Sequence, residues 1–346
     1  MARIALDAMG GDFAPRATVS GALLAIGELD PEDVIQLVGR TAVIERELDT
    51  VLGGDLSHLT GNRRRIEIIE APDIVAMSDK PSAAVRGKSR SSMVVGLKLQ
   101  PAGKSDAFVS AGNTGAQMAG STVFLKLHDG LIRPAIATIL PTAREPIVLL
   151  DSGANVDCSA EEIVQFARLG AVYAEDILGR AQPSVGLLSI GEEPEKGNAV
   201  VKEAHPLLRA AGINFHGNVE GRDIPLGASD RGPLDVVVCD GFVGNVVLKF
   251  YESAAPTIVT LVGRMLGLDP ATLGPAYTRL DYAESGGAPL LGVRGISIIS
   301  HGKSSPNAIK NAIKVASQAV RSRLTEHIGR RLREPMVGPT EAAGHA

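Results

Sequence analysis

The sequence predicts an α/β fold in which a mostly parallel sheet carries helices on both faces. Two observations predict it. Most strand candidates are uninterrupted runs of Val, Ile, Leu and Ala, as expected of strands buried on both faces. These runs alternate along the chain with longer helical patterns, which is typical of parallel sheets. Ligands of such folds bind at the carboxyl ends of the strands, so functional residues are expected in the turns that follow them.

The elements are predicted from these patterns in chain order. The predicted strands are 3–8, 34–38, 66–70, 107–110, 135–140, 147–150, 185–190, 235–239 and 296–300. The predicted helices are 16–28, 41–52, 82–99, 115–128, 160–178, 198–211, 246–266 and 308–327. We expect residues 1–333 to form one catalytic unit, either a single body or two lobes around a cleft. Residues 334–346 are rich in Pro, Gly and Ala and are expected to form a flexible tail.

Composition narrows the function classes. The formal net charge of −4 argues against general nucleic-acid binding, which needs a basic surface. The two cysteines, Cys158 and Cys239, are far apart in sequence, which indicates a reducing compartment without a disulfide framework. Neither has metal-ligand spacing, and no metal site is expected. Charged residues interrupt the N-terminal segment, so no secretory signal is expected and the predicted location is the cytoplasm.

Four apolar runs end in glycine-containing turns that carry an asparagine and lead toward a helical pattern. They lie at 107–115, 185–198, 236–245 and 296–307. A helix N-terminus presents unpaired backbone N–H groups, and glycine lets an anion approach them closely. Four such turns in one chain predict a cleft that holds a phosphate or an oxyanion. The candidate residues in these turns are Gly112, Asn113, Thr114, Lys196, Asn198, Asp240, Asn245 and His301.

Two further segments could contribute to the site. The first strand runs into Gly10-Gly11 between Asp7 and Asp12, which indicates either a tight turn with a helix-capping carboxylate or a functional site. The second segment carries Lys80, Arg86, Lys88 and Arg90, with Pro81 suited to a first helical position. It is interpreted either as a solvated basic face or as a surface for a phosphate or an acidic partner.

Missing motifs exclude several chemistries. The chain has no G-x-S-x-G, H-E-x-x-H or G-x-G-x-x-G pattern. Gly302-Lys303-Ser304 is similar to the end of a P-loop, but Ser297 stands where the first glycine would be required. A nucleotide-binding P-loop is therefore not predicted.

The sequence resembles the bacterial PlsX family of phosphate acyltransferases, the acyl-ACP:phosphate acyltransferases. The resemblance rests on blocks that span nearly the whole chain in order: 5–12, 78–81 with Arg86, Lys88 and 91–93, 109–116, 133–136, 151–155, 190–193 with 196–198, 217–221, 239–245, 289–292 and 300–302. It implies transfer of a long-chain acyl group from acyl-carrier protein to inorganic phosphate, without a cofactor. The acyl phosphate would feed phospholipid synthesis. It also implies a homodimer with a fold similar to the phosphotransacetylase and isocitrate dehydrogenase group.

The residues agree with this chemistry, because phosphate is itself the nucleophile and no activated Ser or Cys is required. What the site must supply is position and charge. We expect Lys196, Asn113 and Asn198 to be catalytic. The residues expected to bind phosphate or substrate are Asp7, Gly10, Gly11, Lys80, Arg86, Gly112, Thr114, Asn218, Glu220, Asp240, Asn245 and His301.

Partners are expected at two surfaces. In 255–268, apolar residues recur at helical spacing, which indicates a dimer core, a membrane-surface contact or ordinary core. The resemblance favours peripheral membrane contact, because the product must pass to a membrane acyltransferase. Acyl-carrier protein is acidic, so its interface is expected to be basic, with Arg86, Lys88, Arg90, Lys310, Lys314 and Arg321 as candidates.

Two alternative functions remain open at the level of the sequence. One is a nicotinamide-dependent β-decarboxylating dehydrogenase of similar fold, for which the sequence shows no convincing metal-binding carboxylates or nicotinamide pocket. The other is a non-catalytic, membrane-recruited scaffold for lipid-synthesis enzymes.

Overall fold

The computed structural model describes residues 1–274 and 286–334, without the side chains of Ala255, Pro270 and Ala271. The predicted tail lies outside the described residues from position 335 onward. The strands are β1 Arg3–Asp7, β2 Val34–Gly39, β3 Ile66–Glu70, β4 Ala107–Ser110, β5 Ala135–Leu140, β6 Ile147–Leu150, β7 Ser184–Leu188, β8 Asn214–Val219, β9 Ala228–Ser229, β10 Gly232–Pro233, β11 Val236–Val238, β12 Ala288–Leu291 and β13 Ile296–Ile299.

The helices are α1 Arg16–Glu28, α2 Thr41–Leu52, α3 Pro81–Gly87, α4 Ser92–Leu99, α5 Thr114–Phe124, α6 Ala160–Leu178, α7 Ala199–Arg209, α8 Asp223–Leu226, α9 Gly241–Leu266, α10 Pro306–Arg321 and α11 Leu324–Arg333. Short 3-10 helices occupy Ser57–Arg65 and Pro270–Leu273. The chain divides into two compact units. Of the described residues, unit 1 comprises 1–128 and 286–325, and unit 2 comprises 129–274 and 326–334.

Unit 1 is built on strands in the order β3-β2-β1-β4-β13-β12. Neighbouring strands are parallel from β3 to β13, and β12 is antiparallel to β13. The inner strands β1 and β4 are apolar and almost completely buried, because helices cover both faces of a parallel sheet. Because β1, β4 and β13 are parallel neighbours in the sheet, their carboxyl ends lie next to one another.

Unit 2 is built on strands in the order β5-β6-β11-β7-β8. The pairs from β6 to β8 are parallel, and β5 is antiparallel to β6. The buried core on one side includes Leu149, Leu188, Val219 and Val237, and the first half of α9 packs on it. The turns after β7, β8 and β11 therefore share one edge. The predicted α/β class with a mostly parallel sheet is confirmed.

Helix α9 is partly outside the core of unit 2. Val243, Val247, Leu248 and Tyr251 pack on the core. The apolar side chains that face solvent are Phe242, Val246, Phe250, Ile258, Leu261, Val262, Met265 and Leu266. The ordinary-core interpretation of 255–268 is therefore wrong for Ile258, Leu261, Val262 and Met265 in the single chain. We call the exposed set the α9 stripe.

Candidate active site

The predicted site residues divide between the two units. Unit 1 contains Asp7, Gly10, Gly11, Lys80, Arg86, Gly112, Asn113, Thr114 and His301, and unit 2 contains Lys196, Asn198, Asn218, Glu220, Asp240 and Asn245.

Three glycine turns meet in unit 1. The amide of Asp12 donates to the carbonyl oxygen of Gly302 at 2.7 Å. A Cβ atom on Gly10 would lie 2.9 Å from the amide nitrogen of Gly112 and 2.6 Å from Asp7 Oδ2. These approaches require glycine at position 10. The turns after β1, β4 and β13 thus form one group, which we call the unit 1 turn cluster.

Asp7 fastens two of these turns together. Its carboxylate is 2% exposed, accepts from Ser110 Oγ at 2.8 Å and accepts from the Met9 amide at 3.2 Å. Ser110 Oγ in turn accepts from the Gly112 amide at 3.0 Å. Burial raises the pKa of the Asp7 carboxyl, and these donors oppose the shift. The geometry gives Asp7 a positioning role behind the glycine turns.

Asn113 is fully hydrogen bonded within unit 1. Its Oδ1 accepts from the Ala116 amide at 2.9 Å and caps α5. Its Nδ2 donates toward the carbonyl oxygens of Ala76, Met77 and Asp79 at 3.3, 3.0 and 3.1 Å. The side chain therefore holds the 76–79 segment against the start of α5. In this arrangement its amide group has no donor left for a substrate.

The first residues of α5 present the open groups of the unit 1 turn cluster. The amides of Thr114 and Gly115 have no acceptor within the helix, because they belong to its first turn. Thr114 is exposed, and a Cβ on Gly115 would lie 2.7 Å from Pro81 Cγ, so the segment that carries the exposed Lys80 adjoins this helix start. An anion at this point would meet the two amides, and the exposed Lys80 belongs to the adjoining segment.

The other predicted residues of unit 1 are less enclosed. The His301 side chain is exposed, and its Nδ1 accepts from the Lys303 amide at 3.1 Å. Arg86 is exposed on α3, and its Nε donates to the carbonyl oxygen of Ser82 at 3.2 Å. Within the part of the chain that the structure describes, no buried partner holds either residue in a single orientation.

The structure reduces the set of basic residues expected to meet an acidic partner. Lys88 pairs with Asp79 at 2.5 Å. Lys310 and Lys314 both pair with Glu28, at 3.1 and 2.6 Å, and lower the pKa of its carboxyl. Arg321 pairs with Asp30 and Asp33. Arg86 and Arg90 are exposed and form no salt bridge among the described residues, although the charge of Arg90 contributes to the lowered pKa of the Glu70 carboxyl.

The turn after β7 carries Lys196 in unit 2. Gly197 has a φ of 104°, which favours glycine, and Asn198 Oδ1 caps α7 by accepting from the Val201 amide at 2.9 Å. Lys196 is exposed, and no carboxylate of the described residues pairs with it. Asn218 donates from Nδ2 to the carbonyl oxygen of Glu193 at 2.8 Å, which ties this turn to the end of β8.

The remaining predicted residues of unit 2 make local contacts. Glu220 pairs with Arg222 at 2.7 Å, and Arg222 also pairs with Glu192 at 2.9 Å. Asp240 Oδ1 caps α9 by accepting from the Val243 amide at 2.9 Å. Asn245 is exposed on the first turns of α9, where it lies beside Gly153.

Asp151 was not among the predicted site residues, yet it organises this edge of unit 2. Its buried carboxylate accepts from the amides of Ile136, Gly153, Ala154 and Asn155 and from Asn155 Nδ2, at 2.7 to 3.1 Å. Burial raises the pKa of this carboxyl, and the donors oppose the shift. The sequence shows the Asp-Ser-Gly-Ala-Asn block. It does not show which amide groups donate hydrogen bonds to the Asp151 carboxylate.

A cavity of about 620 Å³, the unit 2 cavity, lies at the ends of β7 and β11. Its lining includes Asn198 and Asp240, the caps of α7 and α9, together with Cys158 and Cys239. Burial raises the pKa of the Cys158 thiol to about 11 and also raises the pKa of Cys239. Ser189 also lines the cavity, and its buried Oγ has no hydrogen-bond partner in the part of the chain that the structure describes.

Within 1–274 and 286–334, no group of three or more His, Cys, Asp or Glu side chains is placed to hold a metal ion. One helix there, α9, is long and apolar enough to cross a membrane by length and composition alone, and 12% of its most apolar stretch is buried.

Comparison with known proteins identifies the family. The family model described as "Fatty acid synthesis protein" matches residues 2–327. A phosphate acyltransferase from Desulforamulus reducens is 48% identical over 337 residues, covering 95% of this chain and 96% of that protein. The chain belongs to the phosphate acyltransferase family. A second member, from Heliobacterium modesticaldum, is 48% identical over 340 residues and covers 94% of this chain and 97% of its own.

Solved structures agree on the fold. EutD phosphotransacetylase from Staphylococcus aureus superposes with a TM-score of 0.60 at 14% identity, over 92% of this chain and 94% of that one. A phosphotransacetylase from Streptococcus pyogenes gives 0.58 at 18% identity over the same shares. The prediction of a phosphate acyltransferase is confirmed at the level of family and enzyme class. The dehydrogenase and scaffold interpretations are not supported by these matches.

Proposed function

We propose that this phosphate acyltransferase moves a long-chain fatty acyl group from acyl-carrier protein to inorganic phosphate, and that the acyl phosphate serves phospholipid synthesis. The observation that carries the proposal is the match to phosphate acyltransferases over nearly the whole chain. The description "Fatty acid synthesis protein" supports a fatty acyl donor. The glycine turns at strand ends support an anionic co-substrate.

Phosphate attacks the thioester directly in this proposal. One phosphate oxygen bonds to the acyl carbon, the carbon–sulfur bond breaks, and the carrier thiolate leaves with the electron pair. The raised pKa values of Cys158 and Cys239 disfavour either thiol as a competing acyl acceptor at neutral pH. Holding phosphate beside the thioester can remove on the order of 7–11 kcal/mol of barrier. One oxyanion donor is worth about 3–4 kcal/mol.

The proposed roles follow the contacts of each residue. In unit 1, the Thr114 and Gly115 amides with Lys80 hold phosphate, and Asp7, Gly10, Gly11, Gly112 and Asn113 position that helix start. In unit 2, Lys196 supplies a mobile positive charge and Asn198 caps α7. Arg86 meets the acidic carrier protein, while Asn218, Glu220, Asp240, Asn245 and His301 remain proposed substrate-binding or orienting groups.

Two association partners belong to the same proposal. The exposed α9 stripe supports a homodimer interface or a peripheral contact with the membrane surface, where a downstream membrane acyltransferase would take the product. We propose a cytoplasmic enzyme that makes such contact transiently.

The deciding experiment combines purified protein, acyl-carrier protein loaded with a sixteen-carbon chain, and radiolabelled inorganic phosphate. We expect label to enter an acyl phosphate in step with release of free carrier thiol. Thiol release without labelled acyl phosphate would contradict the proposal. A fatty acyl group found covalently on the chain by mass spectrometry during turnover would contradict direct attack.

A further inference from the structure

The unit 2 cavity has an apolar side that the proposed catalytic groups do not use. Its walls include Leu187, Leu188 and Val201. Its rim carries three large apolar side chains that are unusually open to water: Val156 is 61% exposed, Phe242 61% and Ile190 80%. Apolar side chains gathered around one cavity mark a ligand site more often than isolated ones do.

The charges of this cavity disfavour phosphate as its occupant. The ionisable side chains in its lining, apart from the two cysteines, are Asp157 and Asp240, both acidic. Asp240 already caps α9 through Oδ1, so the partial positive charge of that helix start is met within the chain. An uncharged, mainly apolar ligand suits such walls better than an anion does.

We infer that the unit 2 cavity binds the fatty acyl chain of the thioester substrate, with the thioester end toward the caps of α7 and α9. This inference rests on the proposed function and names the site of its apolar part. The volume of about 620 Å³ is in the range of small-molecule sites. Each methylene group removed from water strengthens binding by about fourfold.

Unit 1 offers a competing cavity of about 940 Å³. It is lined by Phe13, Leu24 and Leu56, but also by Arg16, Asp55 and Lys303. An acyl chain there would remove water from three charged side chains, compared with two, Asp157 and Asp240, in the unit 2 cavity, and each such removal is unfavourable. The unit 2 cavity therefore fits the acyl chain better.

The test measures selectivity for chain length. Acyl-carrier protein loaded with a sixteen-carbon or a four-carbon chain is compared as substrate for the native chain, Ile190→Asp, and the matched control Ile132→Asp. Ile132 is also exposed in unit 2, at 51%, but does not line the cavity. We expect Ile190→Asp to lower kcat/KM at least about tenfold for the long chain and less than about twofold for the short one. Ile132→Asp should change neither.

A Phe13→Asp variant distinguishes the two cavities, because Phe13 is 57% exposed at the unit 1 cavity. If Phe13→Asp alone removes the preference for the long chain, or if Ile190→Asp affects both chain lengths equally, the inference is overturned. If the native chain forms no acyl phosphate from either substrate, the proposed function has failed instead. The two failures are therefore distinguishable.

Discussion

At the scale of single residues, Lys196 is the clearest test of the proposed chemistry. It is exposed, has no carboxylate partner among the described residues, and follows a strand end. Lys196→Ala should lower turnover of acyl-carrier protein with phosphate at least about tenfold without changing the unfolding midpoint. Lys202→Ala, an exposed lysine on α7, is the matched control. Near-native turnover in Lys196→Ala would remove this residue from the site.

Asn113 and Asn198 look alike in sequence and differ in structure. Both cap a helix through Oδ1, but only Asn113 Nδ2 faces three carbonyl oxygens. Asp is as good a cap as Asn, so Asn198→Asp should change the free energy of unfolding by less than about 0.5 kcal/mol. Asn113→Asp should cost about 2 kcal/mol or more, because its carboxylate would face those carbonyls. Denaturant unfolding compares the pair, and equal losses would contradict the assigned contacts.

The buried carboxyl of Asp7 makes the free energy of unfolding depend on pH. Burial raises its native pKa above the unfolded value of 3.8, so the native state binds this proton more tightly than the unfolded chain. The stability that Asp7 contributes is therefore full below about pH 4 and is lost as pH rises through the native pKa. Asp7→Asn is neutral at every pH. The unfolding free energy of the native chain minus that of the variant should fall from pH 4 to 7, and a rise would show that the hydrogen bonds outweigh burial.

At the scale of elements, Gly244 is a position in α9 where the structure leaves no room for a side chain. A Cβ there would lie 1.9 Å from the Asp151 carbonyl oxygen. Alanine normally favours a helix over glycine by about 1 kcal/mol, yet Gly244→Ala should lose at least about 2 kcal/mol of unfolding free energy. Gly87→Ala, at the end of α3 with no atom within 4 Å of its Cβ, should be neutral or slightly stabilising. A stable Gly244→Ala would contradict the close packing of α9 on Asp151.

Most elements were predictable because buried parallel strands read as continuous apolar runs. The predicted helix 82–99 is wrong in one respect, since the structure has two helices and Ser91 caps the second. Strand β8 was missed because its sequence, Asn214 to Val219, mixes polar residues with Gly217 and lacks such a run. Short-range patterns do not report pairing with a neighbouring strand, which is what defines β8.

The candidate site was predictable only in part, for a related reason. Turns with Gly and Asn at strand ends identify where an anion could approach. They do not show which side chains are already hydrogen bonded within the protein. Asn113, for example, donates to carbonyl oxygens more than thirty positions away in the sequence. The role of Asp151 likewise depends on donors that the fold brings to it.

At the scale of the whole molecule, the α9 stripe has two proposed roles, as a homodimer interface and as a membrane contact. A charge placed in the stripe tests the membrane role. Val262 is 46% exposed in the stripe, and Val123, 60% exposed in unit 1, is a matched control. Val262→Asp should weaken sedimentation with anionic liposomes at least about fivefold, because it places a charge in an apolar surface. Val123→Asp should not. If the Val262→Asp variant binds liposomes as well as the native chain does, membrane contact through this stripe fails.

The sheltered thiols have a practical consequence. With a pKa of about 11, Cys158 is ionised in about one molecule in a thousand at pH 8, and Cys239 is buried. Maleimide dyes should therefore leave the natural cysteines almost untouched during brief labelling. A single cysteine introduced on an exposed loop would then carry a fluorophore selectively. Fluorescence measurements in solution could therefore begin without first replacing the native cysteines.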